Sequence, residues 1–325
     1  MKKISFVILG LIISWAAFSQ DVRHSQPYSV PLKLNPALMG SDDNINAKLN
    51  YRSQLASIDN GYTTAAFTFM SPVYKQGDGS KLDVGVYAMN DEAGAFNHIE
   101  AMLAVNYNLR LNEGGHFLST SIYGGFNQKF LDTDGLTFDD QYEIGSFQPT
   151  NQTSETVMHE SVNYIDAGFG LMWFYQPMEE SNINAFAGIS AFHVNQPNES
   201  FTEETGELFA KYSSQAGVKI MPEGSQLSFM PNIIGSTQNG IHELATGIYT
   251  YYDISETFKT RIGAWYRAQN TLAFMVGFEF MQVYVGYSYD LPSSGLSNMV
   301  NGGNTHEISL SYYFNTSSEK SYKMF

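Results

Sequence analysis

The chain contains no cysteine, and charged residues make up only 15% of its 325 positions. The absence of thiols excludes disulfide scaffolds, thiol catalysis and thiolate metal sites. Basic residues are scarce as well, because 17 Lys and Arg stand against 32 Asp and Glu, giving a formal net charge of −15. Such a chain lacks the basic stripe that phosphate binding requires, so we expect no nucleic-acid partner.

Long apolar runs are missing except at the start, where Ile4–Phe18 follows Lys2-Lys3. Small residues at Ala17 and Ser19 fit a cleavage site, which predicts a signal peptide over 1–19. An uncleaved anchor helix is the alternative interpretation. Beyond this segment no run approaches the roughly 20 residues of a spanning helix. A membrane protein with this sequence would therefore cross the bilayer with strands.

From residue 44 to residue 314 the chain alternates apolar and polar side chains, a pattern typical of β-strands with two different faces. Aromatic residues reach 14%, and several cluster near segment ends, as girdles at a membrane interface do. The alternation predicts fourteen strands, near 44–56, 61–70, 81–90, 97–111, 115–130, 163–175, 182–194, 208–220, 225–236, 240–252, 257–267, 271–279, 282–290 and 304–314. We therefore predict an all-β fold, a transmembrane antiparallel up-and-down β-barrel of about 14 strands.

The connections between these segments differ in length on the two sides of the predicted barrel. The longest, Leu131–Val162, Asn195–Glu207 and Leu291–Gly303, all fall on one side. Because outer-membrane barrels have short periplasmic turns and long outer loops, we expect the N-terminus in the periplasm. A water-soluble β-sandwich is the alternative, but its strands average only about 5 to 6 residues.

Charged residues on the strand faces carry a second prediction, since the lipid face of a barrel excludes them. They should point into the lumen, either as a network that fills it or as a path or docking site for a partner segment. The residues are Lys48, Arg52, Asp83, Arg110, Lys129, Lys219, Glu243, Arg261, Arg267, Glu279 and Glu307.

No catalytic constellation stands out, so we expect a protein that is not an enzyme and holds no cofactor or metal. His159-Glu160-Ser161 has the spacing of a lipase pair, and Asp139-Asp140 is reminiscent of a protease acid pair, but neither has the companion residues its chemistry needs. Asp132–Asp140 resembles the start of a calcium loop without the closing Glu of an EF-hand. Solvation of a long loop is the simplest interpretation of all three, and Ca²⁺ binding by the 131–162 loop is the alternative for the third.

Short motifs occur in a fixed order near both ends of the chain. They are Asn35-Pro36-Ala37 with Gly40, then Arg52 and Gln54 in the first strand, then Tyr289-Asp290, His306-Glu307 and a final aromatic residue, Phe314. This set resembles the PorP/SprF family of type IX secretion system outer-membrane proteins of the Bacteroidetes. The chain departs from the family pattern at Leu55, where a Trp usually follows the Gln.

The resemblance implies an integral outer-membrane component that supports secretion, gliding motility or surface attachment of large client proteins by protein–protein interaction. It implies three kinds of partner: secreted clients or adhesins with C-terminal sorting domains, other type IX components, and the lipid bilayer. The motif residues would be structural or partner-binding. The implied organisation is a signal peptide at 1–19, a periplasmic segment at 20–43, the barrel at 44–314 and a tail at 315–325.

An outer-membrane channel for small or hydrophobic solutes is the competing function. Fourteen-stranded fatty-acid channels also carry an Asn-Pro-Ala near the N-terminus, as does Asn35-Pro36-Ala37 here. They precede it, however, with a small-residue-rich hatch that residues 20–34 do not supply. Solute uptake or single-channel conductance distinguishes the two functions.

Overall fold

The computed structural model describes residues 21–55, 61–132, 141–143, 146–147, 160–177, 181–202, 205–268, 271–292 and 305–314. The predicted signal peptide at 1–19, the tail at 315–325 and most of the 131–162 loop lie outside these ranges. Within them, no helix is long and apolar enough to cross a membrane.

Fourteen strands form one closed barrel, and a two-stranded hairpin, β6 with β7, stands in the long connection after β5. The strands are β1 (Ile45–Gln54), β2 (Tyr62–Lys75), β3 (Lys81–Ala93), β4 (Phe96–Arg110), β5 (His116–Leu131), β6 (Tyr142–Glu143), β7 (Ser146–Phe147), β8 (Ser161–Tyr175), β9 (Ile183–Phe192), β10 (Lys211–Ile220), β11 (Leu227–Gln238), β12 (Ile241–Asp253), β13 (Phe258–Arg267), β14 (Thr271–Phe280), β15 (Val283–Pro292) and β16 (Thr305–Phe314).

Each barrel strand pairs with its neighbours in sequence, all antiparallel, and β1 closes the barrel by pairing with β16. The predicted strand count and every predicted barrel strand are confirmed. Closure satisfies the backbone N–H and C=O groups internally, which a bilayer demands of any spanning structure.

The two faces of the wall differ as the alternation predicts. On β1, Leu49 and Tyr51 point outward and are 52% and 50% exposed, while Asn50 and Arg52, which alternate with them, point inward and are 4% exposed each. All eleven charged residues predicted to face the lumen lie on the inward side of their strands. The outward apolar band is the surface that meets lipid.

Residues 21–44, the inner segment, run through the lumen. It begins on the side of the long connections, where Asp21 contacts Lys211, and ends on the side of the short turns, where Asp43 contacts Lys81. Three short helical turns, Pro27–Ser29, Pro31–Leu34 and Pro36–Ser41, each start on a proline, whose fixed φ suits the first helical position. From the sequence we expect residues 20–43 to form a periplasmic segment, whereas residues 21–44 run through the lumen and occupy part of it.

Aromatic rings fill the other half of the lumen by packing onto glycines of adjacent strands. A Cβ on Gly247 would lie 2.3 Å from the Trp265 ring, and one on Gly277 would lie 2.3 Å from the hydroxyl of Tyr284. Tyr28 of the inner segment joins this packing, with ring centroids 6.2 Å from Phe186 and 6.1 Å from Tyr249. The high contents of glycine and of aromatic residues therefore have one structural cause. Each of these rings packs against a wall position that has no side chain.

Candidate functional site

Three motif residues from opposite ends of the chain meet inside the barrel at its seam. Arg52 on β1 lies directly opposite Glu307 on β16, and Asp290 at the end of β15 completes the group. The Arg52 Nη1 lies 3.2 Å from Glu307 Oε2 and 3.4 Å from Asp290 Oδ2. All three side chains are buried. Together with Ser25 and Gln26 of the inner segment they form what we call the seam cluster.

Glu307 holds the backbone of the inner segment. Its carboxylate accepts hydrogen bonds from the backbone N–H of Ser25 at 2.6 Å and of Gln26 at 3.0 Å, and from the amide of Asn50 at 2.9 Å. The side chain is 0% exposed. With the Arg52 contact, this carboxylate uses its acceptor capacity fully, as a buried charge must.

Asp290 holds the side chains around the same turn of chain. It accepts from Ser25 Oγ at 2.7 Å and from Arg267 Nη1 at 3.1 Å, and Arg52 donates to Ser25 Oγ as well. Arg267 also donates to the His24 backbone carbonyl at 3.1 Å. Two arginines and two carboxylates therefore balance, and both carboxylates bind the same dipeptide of the inner segment, Ser25-Gln26.

His24 sits beside the seam cluster as a neutral side chain. Burial, opposed by the nearby Glu307, lowers the pKa of His24 to about 4. Its Nδ1 lies 3.1 Å from the Asn50 side-chain oxygen. The imidazole therefore acts as a hydrogen-bonding spacer at neutral pH rather than as a third cation.

A second group fixes the start of the inner segment near the long connections. The His193 ring lies between two carboxylates, 2.9 Å from Asp166 Oδ2 and 3.1 Å from Asp21 Oδ2, and Lys211 Nζ lies 3.0 Å from the same Asp21 oxygen. Burial alone would lower the pKa of His193, but Asp21 and Asp166 raise it to about 9. Burial would likewise raise the pKa of Asp21, but Lys211 and His193 hold it well below its usual range. Both groups are thus charged at neutral pH.

The Asn35-Pro36-Ala37 motif with Gly40 forms a third attachment, to the wall opposite the seam. The Asn35 side chain accepts from the Ala37 N–H at 2.9 Å and donates to the Ile189 carbonyl at 2.9 Å. Ser119 donates to the Ala37 carbonyl at 2.8 Å, and a Cβ on Gly40 would lie 2.4 Å from its hydroxyl. The motif is therefore a helical turn locked to β5, β8 and β9 through backbone groups.

The remaining motif residues lie outside the seam cluster. Tyr289 and His306 are cross-strand partners on the outer face of the wall, with ring centroids 5.2 Å apart. Phe314 is 43% exposed on the same face at the turn-side rim, in edge contact with Tyr312. Gln54 ends β1 half-buried between Tyr62 and Thr305. In the Tyr-Asp and His-Glu pairs, one residue thus faces outward and the next faces the inner segment.

Sequence reasoning missed the contribution of the inner segment itself. Asp21, Ser25 and Lys33 bind strand residues more than 60 positions away, as when Lys33 Nζ lies 2.9 Å from Glu100. A signal was present, because eleven lumenal charges require partners and residues 21–33 are rich in charged and polar side chains. Without topology, nothing in the sequence joined the two observations.

In the part of the chain that the structure describes, the site residues bind the inner segment through hydrogen bonds and ion pairs. No group of three His, Asp or Glu there is placed to hold a metal ion. The His159 position, the Asp139-Asp140 pair and all of the candidate calcium loop except Asp132 fall outside the described ranges, so those interpretations stay untested.

Comparison with known proteins adds a family and a fold. A family model described as type IX secretion system membrane protein PorP/SprF matches residues 16–312. The chain is similar to the toluene transporter TbuX of Ralstonia pickettii, at 13% identity over 88% of this chain and 94% of that one, with a TM-score of 0.52. It is also similar to the toluene transporter TodX of Pseudomonas putida, at 9% identity over 91% and 95%, with a TM-score of 0.53. At such identities the likeness shows the fold alone, and no curated protein matches the chain.

Proposed function

The chain belongs to the PorP/SprF family of type IX secretion system membrane proteins and forms an outer-membrane β-barrel, and on this premise we propose that it supports secretion or surface attachment of large client proteins by binding them or their machinery. In this role it performs no turnover. Its partners are secreted clients or adhesins with C-terminal sorting domains and other components of the secretion system.

The observation that carries the proposal is the fixed inner segment. It is bound at the seam through Glu307, at the long-connection end through His193, and at the opposite wall through Asn35. A lumen occupied by a segment that is held by buried hydrogen bonds and an ion pair suits a rigid platform better than a conduit for a protein chain. Partners then bind at the loops and turns.

We propose further that the short turns face the periplasm and the long connections face outward, as in other outer-membrane barrels. In this orientation the inner segment starts near the cell surface and reaches the periplasmic side where β1 begins. The Asp21 end would therefore lie below the loops that meet a client, and the turns would meet periplasmic components.

The test is recovery of partners from native membranes. Affinity purification in mild detergent should recover secretion-system components or a secreted client, and the same preparation from cells with Arg52→Ala should recover less. Barrel assembly, followed by heat-modifiable migration in gels, separates lost binding from lost folding. Recovery of neither kind of partner with the intact wild-type barrel would contradict the proposal.

A solute channel is the second candidate, favoured by one observation. A cavity of about 130 Å³ lies between the inner segment and β10–β13, with apolar walls at Val30, Ile234 and Trp265 and charged groups at Arg23 and Lys211. Ohmic conductance in planar bilayers, or solute uptake that is lost on gene deletion, would establish this function. If folded protein showed no conductance in these recordings, the channel function would be excluded.

A further inference from the structure

A second cavity, of about 350 Å³, opens on the turn side of the barrel. Its rim includes Ser225 and Gln226 of the turn between β10 and β11, and its walls come from β10 to β15. The inner segment does not fill this region, because Pro36–Ser41 packs against β3, β4, β5 and β8 on the other side. The lumen therefore holds an accessible pocket that the described inner segment leaves open.

Arg261 lies at the centre of this cavity among aromatic rings. Its guanidinium carbon is 4.7 Å from the ring centroids of Tyr251 and of Tyr284, and 5.7 Å from that of Tyr249. Rings that cover a guanidinium engage its faces by cation–π contact. The N–H groups in its plane remain for a hydrogen-bond acceptor.

Among the described residues, Arg261 has no carboxylate partner of the kind that Arg23, Arg52 and Arg267 have. Arg52 and Arg267 each contact Asp290, and Arg23 contacts Glu243, but Arg261 forms no salt bridge with a carboxylate of the described residues. Its Nε is inaccessible to solvent and has no hydrogen-bond partner there. Arg261 is only half-buried and lines the open cavity, so an anion that enters the cavity meets its guanidinium. The geometry calls for an anion.

The cavity as a whole is locally positive in an acidic chain. Three basic side chains and two acidic ones line it, namely Lys219, Lys259, Arg261, Asp253 and Glu279. Lys219 lies over the far ring of the same stack, with its Nζ 4.5 Å from the Tyr251 centroid. A planar guanidinium fork flanked by aromatic walls fits a planar carboxylate in a bidentate arrangement.

We propose that this cavity binds a carboxylate of a peptide that enters from the turn side, with Arg261 as the residue that grips it. A bilayer lipid does not fit this description, because Arg261, Tyr251 and Tyr284 face the lumen and the opening is at the mouth of the barrel. The volume suits one or two side chains attached to the carboxylate. The periplasmic origin of the peptide rests on the proposed function, whereas the binding itself does not.

Calorimetric titration of the purified full-length barrel in detergent tests the site. The probes are N-acetyl-Gly-Gly-Phe with a free C-terminus, the same peptide as its C-terminal amide, and N-acetyl-Gly-Glu-Phe amide, which carries only a side-chain carboxylate. We expect saturable binding of a carboxylate peptide and a loss of about tenfold or more for the uncharged amide, because a charge-assisted contact is removed. The free acid and the Glu peptide together show whether the carboxylate is terminal or on a side chain.

Variants then assign the binding to Arg261. Arg261→Gln should abolish it and Arg261→Lys should weaken it, since Lys keeps the charge without the fork. Arg110→Gln is the matched control, because Arg110 lies on the same rim and donates to the backbone of Asp78 and Asn112. Equal binding of acid and amide, unchanged binding by Arg261→Gln, or binding of inorganic phosphate without binding of carboxylate would each overturn the proposal.

A second measurement covers the case in which Arg261→Gln fails to fold. The chain contains no cysteine, so Ser225→Cys places a single thiol at the cavity rim. The free-acid peptide should slow maleimide labelling of this thiol, and the amide should not. Ser255→Cys, on an exposed turn outside the cavity, serves as the control. Equal labelling of Ser225→Cys with and without the acid would contradict the site. Failure to recover secretion partners would leave this binding result unaffected.

Discussion

A few single residues hold the inner segment in place, and Glu307 makes the largest number of these contacts in the seam cluster. One carboxylate receives Arg52, Asn50 and two backbone N–H groups, so each donor depends on the same acceptor. Replacing a buried group that serves several partners leaves all of them unsatisfied together. The motif residues Arg52 and Glu307 therefore serve to fix the inner segment inside the barrel.

Glu307→Ala tests this directly. We expect the free energy of unfolding to fall by about 3 to 5 kcal/mol, because Arg52 would remain buried without its closest counter-charge. Urea titrations that follow the heat-modifiable folded band measure the change. Glu113→Ala, in an exposed turn, is the control and should be neutral. A loss for Glu307→Ala no larger than that of the control would contradict the role of the seam cluster.

The Asp21–His193 contact should make stability depend on pH. The pKa of His193 is raised from 6.5 to about 9, so its contribution is fully present below about pH 6.5 and is lost as pH rises through about 9. The urea midpoint of the wild type should therefore fall between pH 7 and pH 10 more steeply than that of His193→Gln. His242→Gln, at an exposed position, should keep the wild-type slope. Parallel curves for wild type and His193→Gln would refute the contribution.

At the scale of elements, the strands could be predicted and the inner segment could not. Alternation in a stretch such as Ile45–Gln54 reports which environment each side chain meets, and a wall between lipid and lumen meets two. Residues 21–44 have no such period, since they are surrounded on all sides by the barrel. Their partners lie far along the chain, as Glu307 lies 282 positions from Ser25, and no local pattern encodes that distance.

The Asn35 turn offers a prediction at this scale. A Cβ on Gly170 of β8 would lie 2.1 Å from the Asn35 side-chain oxygen, so Gly170→Ala should displace the turn and lower the urea midpoint. Gly124→Ala on neighbouring β5 is the matched control, because nothing lies within 4 Å of its added Cβ. The two changes are chemically identical in strands of one wall. Equal midpoints would show that the turn tolerates displacement.

At the scale of the whole molecule, the barrel and its contents form one unit with two ends of different character. The long-connection end holds the Asp21–His193 group, and the turn end holds the cavity around Arg261. Between them Tyr28 touches Tyr249, which in turn lies beside Arg261. The fold and the strand count could be predicted from the sequence because every strand carries the alternation of apolar and polar residues. The cavity could not, because it depends on which half of the lumen stays empty.

Removal of the inner segment should convert the platform into a pore. A barrel that lacks residues 21–34 retains all fourteen strands, and polar side chains line the half of the lumen that the segment would vacate, so we expect ohmic conductance in planar bilayers. The intact protein should be silent under the same conditions. Circular dichroism of both proteins controls for folding. A silent truncated barrel with intact strands would show that the remaining side chains close the lumen by themselves.

The position of the inner segment also constrains how the chain assembles. β1 and β16 close the wall around residues 21–44. Glu307 is on the last strand and binds Ser25 near the start of the described chain, so we expect closure of the ring and capture of the segment to be coupled. Contacts of such long sequence separation form slowly. Before the final strand pairs, Ser25 and Gln26 lack the acceptors that β16 supplies, so we expect the inner segment to be held less firmly at that stage.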